Sequence, residues 1–164
     1  MLITIDGVAG SGKTTLAQFM SEEFRHHTSV QVVHMDDLYE GWEDPLGTEL
    51  SGKLQKIAKA HNERLALETT IYDWESSRAG ATLEILPVEI LILEGVGSGQ
   101  RTIREFVEKK IWIDLEPQVG LGRVLTRDGN SIAEKMLRFM DEQCAHFAQE
   151  GTREAADIHL NGLL

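Results

Sequence analysis

Residues 3–20 read ITIDGVAGSGKTTLAQFM: an apolar β-branched run, a glycine-rich turn and an amphipathic run in immediate succession. Leu2 to Ile5 has the short, apolar, branched character of a buried strand. Gly7, Gly10 and Gly12 let the backbone turn tightly and bring several N–H groups toward one point. From Thr14 onward Leu16, Phe19, Met20 and Phe24 recur at helical spacing, so a helix opens where the glycines end. Its positive N-terminal end faces the same point, and together they make a site for an anion. Gly7, Gly12, Lys13 and Thr14 complete G-x-x-x-x-G-K-[ST], and the strand before and helix after are the context this phosphate-binding pattern requires. The candidate nucleotide contacts are Gly7, Ala9, Gly10, Ser11, Gly12, Lys13, Thr14 and Thr15. In this pattern Lys13 reaches the β/γ-phosphates and Thr14 ligates Mg²⁺, so ATP and Mg²⁺ are the expected cofactors.

The rest of the composition bounds the class. A chain of 164 residues with 41% hydrophobic content suits one domain, residues 1–164, with a full core. A net charge of −11 argues against a nucleic-acid partner, because no basic patch offers itself to a phosphate backbone. The one cysteine, Cys144, excludes a disulfide framework within the chain and falls at core spacing in a helical segment, so a buried thiol is expected. No apolar run approaches about 18 residues and no leader precedes the glycine turn, so no membrane association and a cytoplasmic location are expected. A homo-oligomer is compatible with these features. The six histidines form no ligand-spaced set, and His26 and His27 read as a helix end.

Along the chain, strand-like and helix-like segments alternate. VQVVHMDD reads as a second strand ending at Asp36 and Asp37. A polar stretch from Gly41 to Gly52 precedes a helical pattern through Leu54, Ile57, Ala58 and Leu65. TTIYDWESSRAG reads as a short strand and loop, and ATLEILP as a small edge strand closed by Pro87. VEILILEG is the most apolar run and suits a sheet centre. A short helix near Ile103 to Val107, the strand KKIWIDL, a helix opened by Pro117, a long helix from Ile132 to Phe147 and a last strand ADIHLNG follow. Trp112, inside an apolar strand, reads as core. The alternation predicts an α/β protein: a three-layer P-loop NTPase fold, its mostly parallel central sheet flanked by helices and its ligands at the strand C-terminal ends.

That rule gathers the glycine turn, Asp36/Asp37, Tyr72/Asp73 and Glu94 on one rim. Phosphoryl transfer needs positioning, charge stabilisation and a carboxylate for the nucleophile's proton. Glu94, ending LILEG, stands where a metal-directed acid belongs, and a turn or cap residue would fit the same place. Neighbouring aspartates on an extended segment point opposite ways, so one of Asp36 and Asp37 is expected to face the phosphates. Arg123 and Arg127, four apart on one helix face, can reach a transferring phosphate or form a salt-bridged surface. Tyr39, Trp42 and Trp74 suit either an aromatic pocket or loop packing.

In order along nearly the whole chain, the blocks MDDLYEG, IYDWESSR, LILEG and RVLTRD resemble those of the uridine kinase branch of the P-loop nucleoside and nucleoside-monophosphate kinases. The resemblance implies a phosphotransferase acting on a small-molecule acceptor. It aligns Asp36 with the acid that activates a nucleoside 5′-hydroxyl and Tyr39 with a substrate-pocket aromatic. It places Tyr72, Asp73 and Arg78 at the nucleoside. Lys13, Asp36, Arg123 and Arg127 become the catalytic candidates, and Thr14, Asp36 and Glu94 the metal candidates. The chain departs from the family in lacking a histidine in the IYDWESSR block and in carrying few lid arginines. A nucleoside-monophosphate kinase would want more arginines around its acceptor, whereas Gly41 to Glu68 holds only Arg64. A P-loop NTPase switch or a nucleotide-binding module is the other alternative, and the chain has no Asn-Lys-x-Asp guanine-reading motif.

Overall fold

Five of the apolar runs form one parallel sheet in a computed structural model that describes residues 1–74 and 76–163. They are β1 (Leu2–Gly7), β2 (Val30–His34), β5 (Ile90–Glu94), β6 (Lys109–Asp114) and β7 (Ile158–Asn161), in the spatial order β2-β5-β1-β6-β7. The remaining strands, β3 (Leu67–Asp73) and β4 (Arg78–Ile85), pair only with each other, as an antiparallel hairpin. The helices are α1 (Lys13–Arg25), α2 (Met35–Leu38), α3 (Thr48–Asn62), α4 (Pro117–Asp128) and α5 (Ala133–Glu150).

The alternation of side chains along the central strands sorts the core into two layers. Ile90 and Ile92 of β5 join Ile3, Ile5, Ile111, Ile113 and Ala17 of α1 on one face. Leu91 and Leu93 join Leu2, Val33, Leu54 and Ile57 of α3, Val124 of α4 and Phe139 of α5 on the other. Helices therefore cover both faces, as expected for the three-layer class. Truncating a fully buried member such as Ile92 removes about 2–5 kcal/mol. Trp112 is buried as its strand context predicts. β1 lies between β5 and β6 while the chain leaves it for β2, two places away, so the crevice at its C-terminal end is the point where strand order reverses.

Several local expectations are corrected. MDD does not stay extended: Met35–Leu38 closes into one helical turn directly after β2. The segments around Tyr72 and Thr82 are not members of the main sheet but the two arms of the β3–β4 hairpin. Leu65 lies beyond the end of α3 and is exposed, the chain having turned away at Arg64 with φ 60°. Phe19 points off the buried face of α1 and is 59% exposed. Cys144 is exposed rather than buried. The buried stripe of α5 runs through Met136, Phe139, Met140 and Gln143, and Cys144 lies one residue, about 100°, past its end.

Candidate active site

The glycine turn lies between the end of β1 and the start of α1. Gly7 has φ +144°, and a Cβ there would stand 2.5 Å from the Ile113 carbonyl oxygen of β6. Gly10 has φ +78° and backs directly onto the backbone of Gly120 in α4, so any side chain would collide. The turn is thus pressed against its neighbours on the inside. On the outside it is open: a Cβ on Gly12 would meet nothing within 4 Å. Gly12 caps α1 without a side-chain hydrogen bond, which leaves the first-turn N–H groups available to an anion. Ser11 Oγ is buried without a protein partner.

Lys13 is buried and folds back along the turn, its Nζ donating to the carbonyls of Gly7 (2.9 Å) and Val8 (2.8 Å). Burial holds its pKa below the usual lysine value, and the nearby carboxylates of Asp6, Glu94 and Asp36 oppose that shift. An uncapped helix end, an orphaned hydroxyl and a buried ammonium are the donor set a polyphosphate requires. The cavity over them has a volume of about 670 Å³, and its walls include Thr15, Phe19, Arg123, Leu160 and Gly162.

Strand register assembles the acid side. His34 and Glu94 end neighbouring strands in direct register, and His34 Nδ1 lies 2.5 Å from Glu94 Oε1. Thr14 Oγ1 donates to the same oxygen at 3.0 Å. The hydrogen bond to Glu94 raises the His34 pKa, and burial opposes that shift. Thr14 and Glu94 offer hard oxygen ligands side by side. Among the described residues no three His, Cys, Asp or Glu side chains are grouped to hold a metal alone. One or two protein oxygens completed by phosphates and water is the arrangement Mg²⁺ favours, so the residues fit that ion.

A second cavity, of about 380 Å³, opens on the other side of Thr14. Gly10, Thr14, Val124 and Arg127 line both cavities and form their common wall. Asp36 and Asp37 both line the second one, because a helical turn separates adjacent side chains by about 100° rather than opposing them. Asp36 is open to the solvent of the cleft yet enclosed by its walls. That enclosure, and then the charge of Glu94, raises its pKa above the usual carboxylate value. The aromatic side is built from three separate segments. Trp42 and Trp74 meet edge to face with centroids 5.1 Å apart, Phe139 of α5 lies 6.5 Å from Trp42, and Trp74 Nε1 donates to the Asp36 carbonyl at 2.9 Å.

The structure brings most of the expected residues to these two cavities and leaves others out. Tyr39 lines the second cavity, but its ring is buried and its hydroxyl donates to the Val96 carbonyl (2.7 Å), so it serves as wall. Tyr72 stands behind Trp74, with ring centroids 5.0 Å apart, and does not line the cavity. Asp73 does not line it either: its carboxylate accepts from Ser76 N (3.2 Å) and Ser76 Oγ (2.5 Å) at the hairpin turn. Arg78 is opposite Asp73 in the strand register of that hairpin and is not among the described residues that line the cavity. A tight turn needs a short carboxylate for its own N–H groups, and this use competes with substrate contact. Arg123 donates to the carbonyls of Gly10 (3.2 Å) and Gly162 (2.8 Å) and so ties α4 to the glycine turn. Arg127 is paired with Asp128 at 2.6 Å, a contact that raises its pKa. The sequence did not mark Phe139, Met136, Ile132 and Asp128 as cavity residues, nor Asp6 and His34 as the partners of the glycine turn and of Glu94. Phe139 and Met136 do carry a signal, the apolar stripe of α5, but that stripe reads as core, and Phe139 is both.

A glycine turn feeding a helix at the crevice of a parallel sheet, with an acid at the end of the adjacent strand, defines a P-loop nucleotide-binding protein. The chain belongs to the AAA-domain family, whose sequence model matches residues 3–144. Its relatives include a cytidylate kinase of Methanococcoides burtonii, 26% identical over 97% of this chain and 81% of its own length. A uridine kinase of Latilactobacillus sakei is 24% identical over 96% of this chain and 83% of its own. Among solved structures, a possible uridine kinase from Bacillus stearothermophilus superposes with a TM-score of 0.68 at 20% identity, covering 98% of this chain and 88% of that one. A shikimate kinase from Bacteroides thetaiotaomicron shares the fold with a TM-score of 0.53 at 16% identity, covering 99% and 86%. Motif resemblance and relatives agree, and the chain is a P-loop phosphotransferase.

Proposed function

We propose that the protein is an ATP- and Mg²⁺-dependent kinase that moves the γ-phosphate to a hydroxyl of a nucleoside or similar neutral metabolite. The observation that carries this reading is the pair of cavities sharing Thr14 and Arg127, one lined by the phosphate-binding turn and the other by Asp36 and aromatic rings. Mg²⁺ would be held by Thr14 and Glu94 together with phosphate oxygens, where it supplies neutralisation of the phosphate charge. Lys13 and the N–H groups of the turn bind and orient the phosphates. Asp36 accepts the hydroxyl proton of the acceptor as its oxygen bonds to the γ-phosphorus and the bond from that phosphorus to the bridging oxygen breaks, releasing ADP; the raised pKa makes it a better base than an ordinary aspartate. Arg127, on the shared wall, stabilises charge on the group in transit. The aromatic wall of Trp42, Trp74 and Phe139 excludes water and receives a flat or ring-shaped acceptor.

The cytidylate kinase relative raises a second reading, with a nucleoside monophosphate as acceptor. The charges favour the hydroxyl. Among the described residues that line it, the acceptor cavity presents Asp36, Asp37 and Asp128 against one cation, Arg127, already paired with Asp128, while Lys135 lies 5.8 Å over the Trp42 ring. An anionic acceptor there would be repelled. Steady-state kinetics with Mg-ATP and a panel containing cytidine, uridine, CMP and UMP tests the reading. Higher kcat/KM for the nucleosides is expected; higher values for the monophosphates would replace it with the second.

A further inference from the structure

Asp6 has no part in the chemistry above, yet it is among the most enclosed charged groups in the protein, with 1% exposure. It precedes the first glycine of the turn, and each of its carboxylate oxygens is engaged by backbone. Oδ1 accepts from Gly7 N (2.8 Å) and Gly97 N (3.1 Å), and Oδ2 from Gly99 N (2.9 Å). Burial raises its pKa to about 6, against the pull of these N–H groups and of Lys13. Keeping a carboxylate in such a place is costly unless the bonds it makes are needed.

Those bonds join two cavities. On one side, Gly7 gives its N–H to Asp6 while its carbonyl, in the next peptide unit, receives Lys13 Nζ, so Asp6 holds the residue on which the phosphate-binding lysine rests. On the other side, Gly97 and Gly99 belong to the loop after β5. That loop carries Val96, which lines the acceptor cavity and whose carbonyl receives the Tyr39 hydroxyl. The loop is also tied to β1 through the Ile5 carbonyl, which accepts from the Ser98 hydroxyl at 3.0 Å and from Gly95 N at 3.1 Å. Gly99 lies so close to its neighbours that a Cβ would stand 2.7 Å from Thr152 Cγ2 and 3.3 Å from Asp6 Oδ2.

We infer that Asp6 is a positioning residue that sets the acceptor wall, Val96 and Tyr39, relative to Lys13 and the bound phosphates. This rests on the reading of the second cavity as the acceptor site. Asp6→Asn is the discriminating variant, because an amide keeps one oxygen for Gly7 and Gly97 but turns an NH₂ toward the N–H of Gly99. With Mg-ATP and cytidine or uridine, the acceptor KM is expected to rise about tenfold while the ATP KM stays within about twofold. Amide hydrogen exchange, which needs no acceptor, should show protection lost at Gly99 and kept through residues 7–14. Ser98→Ala loosens the same loop without touching the turn; it carries the test if Asp6→Asn does not fold, with the same one-sided pattern at about threefold. Equal changes in both KM values, no change in either, or exchange protection unaltered in the loop would overturn the inference. If neither nucleoside is phosphorylated, the proposed function fails on its own and the exchange measurement still decides the role of Asp6.

Discussion

Replacing Asp36 by asparagine isolates the chemical step. Asparagine is nearly isosteric, and the hydrogen bond from Trp74 Nε1 goes to the backbone carbonyl of residue 36, so the aromatic wall keeps its anchor in the variant. What is lost is the proton acceptor beside the shared wall. A positioned base contributes about 10²–10⁴ in rate, or about 3–5 kcal/mol of barrier. kcat should therefore fall by that factor with the ATP KM nearly unchanged, and Asp37→Asn should be milder. The pH profile gives an independent check. The base must be deprotonated to act, and enclosure and Glu94 raise its pKa, so wild-type kcat/KM falls as pH drops through a value above the usual aspartate range. On the alkaline side, loss begins below the ordinary lysine pKa, because burial lowers that of Lys13. Initial rates between pH 5 and about 10, with single-turnover controls, measure both limbs. An Asp36→Asn enzyme keeping more than about a tenth of kcat, or keeping the acid limb of kcat at saturating acceptor, where Asp6 acts on KM, would refute the assignment; so would a larger loss in Asp37→Asn.

Lys13→Ala should abolish measurable transfer, and it should also lower stability by about 1–3 kcal/mol, because the carbonyls of Gly7 and Val8 lose their buried donor. Turnover assays and chemical denaturation on the same preparation separate the two effects, and near wild-type turnover would contradict the phosphate role. Trp74→Ala should raise the acceptor KM roughly tenfold and leave the ATP KM alone, since Trp74 lines only the second cavity. A matching rise in the ATP KM would show that the two cavities are not divided as described.

The sequence by itself determined the elements whose signals are local. The glycine spacing from Gly7 to Gly12 demands its turn because positive φ is a property of single residues, as the structure bears out at Gly7, Gly10 and Gly12. The apolar run ILILE had to be a central strand because both of its faces require burial. Glu94, at its end, was legible as a rim residue for the same reason. Tertiary structure alone decided the partners. Whether Asp73 served a substrate or its own hairpin turn depended on β3 pairing with β4 rather than joining the sheet. The contact of His34 with Glu94 depended on the register of two strands 60 residues apart. The aromatic wall of the second cavity draws on Tyr39, Trp42, Trp74 and Phe139, whose common face exists only once α5 packs against the loops that follow β2 and β3. Nothing in the sequence singles out Asp6, since two of the three N–H groups that engage it lie 91 and 93 residues away. Local backbone preference is written residue by residue, whereas a shared cavity depends on packing between distant segments, and sequence spacing holds no record of which will meet.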